Sequence, residues 1–338
     1  MARMGRPQTQ RRALILGAAG QDGSYLAELL HERGYAVTGL VRRPLDDALP
    51  NLASVRDGIE LVRGDLGDAA VLRDLVAAVR PHEIYNVAST STLAAAWEDP
   101  LRCARDTGLP VAVLLEAILA TDPSIRLVQA SSAQIFGEPA ESPQSETTPP
   151  APADPYAAAK LYADSMIGVY RARHGVHASS AILFNHESPR RPPAYVSRKV
   201  TQGVAAIARG VSDTLTLGDL GAVRDWSYAG DVVEAMWLMA QADEPRDVVL
   251  ASGVGRTVGE LVDVAFAAAG VDPAGRIEVD PELVRPARGL PVVGDPSLAR
   301  ERLGWTPRTG FADMIAAMVA HDLAELDAQA AAGLRSRR

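Results

Sequence analysis

Short apolar runs alternate with amphipathic stretches through the first half of the chain. ALIL (13–16) reads as a buried strand, SYLAELLHERG (24–34) as a helix stopped by Gly34, and AVTGLV (36–41) as a second strand. The alternation continues with IELVRGDL (59–66), a helical pattern over 68–80, the strand EIYNVAS (83–89), a helical pattern over 107–120 and the strand RLVQASS (126–132). Apolar strands interleaved with helices predict an α/β fold, a Rossmann-type doubly wound parallel sheet covered on both faces.

A Pro- and Ser-rich loop, 141–155, interrupts the pattern near the middle. Beyond it, helical periodicity marks 195–210, 231–242, 257–270 and 311–330, with strand-like runs at 213–218 and 247–253. Met236, Trp237 and Met239 fall at core or interface positions, and Asp231 is placed to cap its helix. The expected organisation is a cofactor-binding Rossmann domain over 12–185 plus about 226–253. A smaller, mostly C-terminal α/β substrate lobe covers about 186–225 and 254–330, and the ends, 1–11 and 331–338, are expected to be disordered.

Composition narrows the function classes. A chain of 338 residues, 47% hydrophobic and 22% charged, is of globular type, and a net charge of −8 argues against nucleic acid or a membrane surface as partner. No apolar run reaches membrane-spanning length and the basic N-terminus lacks a signal-like apolar core, while the lone Cys103 allows no internal disulfide. A cytoplasmic enzyme is the expectation. The six histidines show no metal-ligand spacing, so no metal is expected.

Two local patterns carry chemistry. Gly17, Gly20 and Gly23 sit between the first strand and the first helix, where glycines permit a tight turn and close approach of a pyrophosphate to the helix N-terminus. Arg42 and Arg43 follow the second strand, where a carboxylate would select NAD; their charge favours NADP, with NAD as the alternative. In DPYAAAKLYA (154–163), Tyr156 and Lys160 share a helix face, and Ser131 and Ser132 end a neighbouring predicted strand. An ammonium beside a phenol favours the phenolate, which can take a proton from a substrate hydroxyl as hydride leaves its carbon. A serine hydroxyl can hold the oxygen that becomes a ketone.

With these residues in place, the chain resembles the extended short-chain dehydrogenase/reductases that act on nucleotide sugars, and the GDP-mannose 4,6-dehydratase family most. The shared blocks are GQDGSYLAELL (20–30), SETTP (145–149), PYAAAKLYA (155–163), ILFNHESPRR (182–191), RKV (198–200), LGDLGAVRDW (217–226), GDP (294–296) and LGW (303–305). The resemblance implies that Gly17, Gly20, Gln21, Asp22, Gly23, Arg42, Arg43, Asp65, Leu66, Val87, Ala88, Tyr156, Lys160, His186 and Arg191 bind the cofactor. It implies that Ser91, Asn185, Lys199, Arg224 and Arg285 face a nucleotide-diphosphate sugar, and that Ser132, Gln134, Tyr156 and Lys160 form the catalytic group. It further implies a homodimer paired through 107–120 and 156–173, with a tetramer as the alternative.

The chain departs from that family where the reaction is decided. Gln134 stands where the dehydratases carry the glutamate that removes the proton beside the new ketone, and an amide has no usable basicity. SSAQIFG (131–137) instead resembles the serine-serine-alanine segment of nucleotide-sugar 4-epimerases. Arg288 and Leu290 replace glutamates near the bound nucleotide, and the loop after Arg43 is shorter than in dehydratases that form tetramers through it. The expectation is therefore C4 epimerisation of a GDP-mannose-like sugar, unless Glu187 or water substitutes as base. The alternatives are a GDP-mannose 4,6-dehydratase, a 4-keto-sugar reductase and a non-catalytic cofactor-binding sensor.

Overall fold

A computed structural model of the protein describes residues 10–89, 93–284 and 290–335. Its strands are β1 (Arg12–Leu16), β2 (Ala36–Val41), β3 (Glu60–Arg63), β4 (Glu83–Asn86), β5 (Arg126–Ala130) and β6 (Ala178–Leu183), followed by β7 (Asn185–Glu187), β8 (Leu215–Leu217), β9 (Val223–Tyr228), β10 (Val248–Leu250), β11 (Gly255–Thr257) and β12 (Ile277–Val279). By internal contacts the chain divides into one unit of residues 1–135, 152–182 and 233–248 and another of 136–151, 183–232 and 249–338. Most of the Pro-rich loop thus falls in the second unit, whereas the sequence boundaries put it in the first.

The first unit is built on a seven-stranded sheet in the order β10-β6-β5-β4-β1-β2-β3. The registers of β1 through β6 are parallel, which is the doubly wound Rossmann arrangement. Strand order reverses between β1 and β4, so their carboxyl ends open the crevice where such sheets bind ligands. Leu14 and Leu16 of β1, Ile84 of β4 and Leu127 of β5 pack with Leu72 and Val76 of the helix Ala69–Val79, Leu114 and Ile118 of the helix Leu109–Thr121, and Ile167 of the helix Pro155–His174.

Local signals start these helices where the periodicity predicts. Asp68 caps Ala69–Val79 by accepting the Ala70 and Val71 N–H groups. Asp154 accepts the Ala157 N–H while Pro155 takes the first helical position, so Tyr156 and Lys160 ride on the first two turns. The helix expected from 107 instead begins at Leu109, after a π-type turn over Ala104–Gly108. Strand β6 escapes the hydrophobic pattern because ASSAIL carries two serines, although all six residues are buried.

The second unit holds a three-stranded sheet, β11-β9-β7, and a two-stranded one, β12-β8. Its core joins Val200 and Val204 of the helix Val196–Ala208, Leu261 and Phe266 of the helix Val258–Ala269, and Ile315 and Met318 of the helix Phe311–Arg335. Thr257 and Glu260 form a capping box at the start of the middle helix. Asp231 does not cap its helix as expected. Its carboxylate accepts the Arg308 and Thr309 N–H groups, because the Trp305 indole anchors that segment to the Asp231 carbonyl. Among the described residues, no helix is long and apolar enough to cross a membrane.

Candidate active site

The loop after β1 is shaped by close approach. Gly17 has φ +89°, and a Cβ there would lie 3.0 Å from Ala88. A Cβ on Gly23 would sit 2.2 Å from the Gly17 carbonyl oxygen. The helix Gln21–Glu32 that follows has Gly20 at its N-cap, with no side chain capping it. A side-chain-free turn feeding a helix N-terminus at the sheet's switch point fits a dinucleotide pyrophosphate.

The remaining first-unit residues implied for the cofactor surround this loop or the neighbouring strand ends. Gln21 donates its side-chain N–H to Asp22 at 3.0 Å. Arg42 and Arg43 are exposed directly after β2. Asp65 is exposed after β3 and accepts the Gly67 N–H at 2.8 Å, with half-buried Leu66 between them. Val87 and Ala88 follow β4 and are half-buried.

The catalytic candidates meet at the end of β5. The Lys160 ammonium is buried, donates to the Ala130 carbonyl at 2.6 Å, and lies 5.5 Å from the centre of the half-buried Tyr156 ring. That bond ties the helix Pro155–His174 to the strand end that carries Ser131 and half-buried Ser132. The Ser132 Oγ accepts the Gln134 backbone N–H at 3.2 Å, and the Gln134 side chain is exposed on the turn Ala133–Phe136. Burial lowers the Lys160 pKa to about 8, while the charges of Asp164, Asp22 and Cys103 hold it up. Asp22 belongs to the glycine loop's own helix, so Lys160 feels both the strand end and the phosphate cradle.

In the second unit, Asn185 is half-buried on β7 opposite Trp226 of β9, the strand that also carries exposed Arg224. His186 is buried and donates Nδ1–H to the Phe184 carbonyl at 2.8 Å. Arg191 pairs with Glu187 at 3.2 Å and covers the Tyr195 ring at 3.6 Å; Lys199 is exposed. Glu187, considered above as a substitute base, is itself buried and held by Arg191 and the Ser197 hydroxyl. Ser91 and Arg285 lie outside the described residues.

One group of potential metal ligands converges among the described residues, His321, Asp322 and Glu325. Arg198 already pairs with Asp322, and Glu325 also faces it at 3.9 Å, which suits an ion-pair network. Sequence reasoning passed over Asp164, although it follows Lys160 by four residues on one helix face. The signal was the spacing itself.

A family profile described as GDP-mannose 4,6 dehydratase matches residues 14–318. The chain belongs to that family. A GDP-mannose 4,6-dehydratase of Vibrio cholerae is 40% identical, over 94% of this chain and 95% of its own length. An Arabidopsis thaliana GDP-mannose 4,6 dehydratase is 41% identical, over 92% and 89%. Among solved structures, a UDP-glucose 4-epimerase of Thermotoga maritima aligns at TM-score 0.84, covering 93% of this chain and 99% of its own, with 23% identity; that likeness shows the fold. A Thermus thermophilus UDP-glucose 4-epimerase in complex with NAD aligns at 0.79 with 29% identity, covering 92% and 98%.

Membership of the GDP-mannose 4,6-dehydratase family makes the chain an NAD(P)-dependent enzyme of nucleotide sugars. The comparisons support the dehydratase alternative better than the epimerase that Gln134 favours. Relatives near 40% identity across the whole chain are dehydratases, and a single side chain weighs less than that.

Proposed function

We propose that the chain is a nucleotide-sugar 4,6-dehydratase acting on GDP-mannose or a close analogue, with NADP as its hydride carrier. The observation that carries the oxidation step is the Lys160 ammonium held between the Ala130 carbonyl and the Tyr156 ring. Bound NADP would accept and return a hydride. Exposed Arg42 and Arg43 supply positive charge where the extra phosphate of NADP would sit.

Tyr156, with the Lys160 ammonium beside its ring, removes the proton from the C4 hydroxyl, and Ser132 holds that oxygen as it becomes a carbonyl. Loss of water across C5 and C6 then needs a proton taken from C5. Gln134 hydrogen-bonds but does not take it, and Glu187 is committed to Arg191 and Ser197. Water carries this proton as the C6 hydroxyl leaves as water, which makes elimination slow relative to oxidation. The hydride taken from C4 would then return to C6 while C5 regains a proton, giving the 6-deoxy-4-keto sugar. A second reading, C4 epimerisation, follows from Gln134 alone: a 4-keto sugar that is not dehydrated can take its hydride back on the other face.

Four exposed apolar side chains of the first unit support a homodimer through the Tyr–Lys helix and the helices beside it. They are Leu101, Leu109, Tyr162 and Val169, exposed by 85%, 50%, 41% and 56%. A tetramer is the alternative assembly.

Mass spectrometry of the nucleotide sugars after incubation with GDP-mannose and NADP⁺ tests the reaction. A product lighter by one water is expected. An isobaric product, formed without loss of water, would replace dehydration by epimerisation.

A further inference from the structure

One helical turn beyond Lys160, on the same face, lies half-buried Asp164. Its Oδ2 accepts the Ser131 hydroxyl at 2.5 Å, while Oδ1 is buried without a hydrogen-bond partner. Ser131 immediately precedes Ser132, and its own N–H donates to the Ala181 carbonyl at 2.8 Å. An isolated buried carboxylate is costly unless a cation answers it. The buried ammonium nearest in sequence is Lys160, whose own burial is costly for the same reason.

We propose that Asp164 is a positioning residue for the Tyr156–Lys160 couple, holding the Lys160 ammonium charged beside Tyr156 while its bond to Ser131 fixes the strand end that carries Ser132. This rests on the reading of Tyr156 and Lys160 as the proton-transfer pair.

The surroundings define the electrostatics. Asp164 faces Lys160 on its own helix, the hydroxyls of Ser131 and of Ser180 on β6, and Asp247, which is paired with Arg171 at 2.8 Å. Lys160 faces Tyr156, Asp164, Asp22 and Cys103. Burial raises the Asp164 pKa to about 6, with the two hydroxyls pulling it back. Asp164 is therefore charged at neutral pH, and of the charges that hold the Lys160 pKa up its own is the largest.

The chain has only two lysines, Lys160 and Lys199, so side-chain lysine NMR on the whole protein reads Lys160 directly once Lys199→Arg assigns the signals. In Asp164→Asn the Lys160 titration midpoint is expected to fall by roughly half a pH unit or more, as loss of a nearby opposite charge requires. The alkaline limb of kcat/KM should fall with it. In the unmodified protein the Lys160 signal should also show a smaller inflection near pH 6, where Asp164 titrates. A midpoint unchanged in Asp164→Asn overturns the proposal. If that variant does not fold, a Lys160 signal flat around pH 6 in the unmodified protein overturns it equally. Because the NMR readout needs no turnover, it fails separately from the assigned reaction, which Tyr156→Phe tests on its own.

Discussion

The Lys160 ammonium lies 5.5 Å from the centre of the Tyr156 ring and donates to the Ala130 carbonyl at 2.6 Å. One side chain thereby clamps a helix to a strand end and brings positive charge beside the phenol proposed to take a proton. The arrangement follows from local sequence. Asp154 and Pro155 start the helix, and a four-residue spacing places both side chains on its inner face.

Removing either partner should separate binding from chemistry. Tyr156→Phe keeps the ring and loses the proton acceptor, so turnover should fall by about 10²–10⁴-fold, the usual range for a lost general base. NADPH affinity, read by fluorescence titration, should change far less.

Lys160 is expected to be held at the expense of stability. Burial lowers its pKa from 10.5 to about 8. Below pH 8 the lysine is charged in both folded and unfolded chains, and the folded state carries the full penalty, about 3 kcal/mol. Between pH 8 and 10.5 the folded lysine is neutral while the unfolded one is still charged, so stability from this group rises with pH. Lys160→Met should therefore stabilise the protein at pH 7 by about 1–3 kcal/mol, since the lost Ala130 bond offsets part of the gain. Urea unfolding at pH 7 and pH 10 checks this; the gain should shrink at the higher pH.

Cofactor choice should depend on the arginines after β2. Arg42→Ala with Arg43→Ala should weaken NADP by roughly tenfold or more, the worth of a charge-assisted bond to phosphate, and leave NAD nearly unchanged. Isothermal titration of both dinucleotides measures the difference.

Gln134 should limit the elimination. Gln134→Glu places a base on the exposed turn beside Ser132 and should raise the dehydration rate by roughly tenfold or more, toward the usual contribution of a general base. Single-turnover assays that follow the 4-keto sugar and the dehydrated product separately would show it. An unchanged rate would mean that Gln134 is not at C5.

What the sequence revealed and what it hid have physical reasons. The glycine loop and the Tyr156–Lys160 pair are local patterns, each complete within one turn or helix, and they were legible. The seven-stranded sheet was largely legible too, except β6, whose two serines dilute its apolar signal even though the strand is fully buried. Asp231 was misread because its partners, Arg308 and Thr309, are remote in sequence and only the fold brings them to it. Asp164 was visible by spacing, but its role needs its bond to Ser131 and its one buried, unpartnered oxygen, which spacing does not give. Gln134 and the whole chain pull in different directions. The chemistry of Gln134 favours an epimerase, while relationship over the whole chain supports the dehydratase alternative better.

The most direct test of the proposed reaction is turnover of GDP-mannose with NADP⁺ in deuterated water, with the product read by NMR. A 6-deoxy-4-keto sugar carrying solvent deuterium at C5 is the predicted result. A C4-inverted sugar that retains its C6 hydroxyl and its original hydrogen at C5 would contradict it.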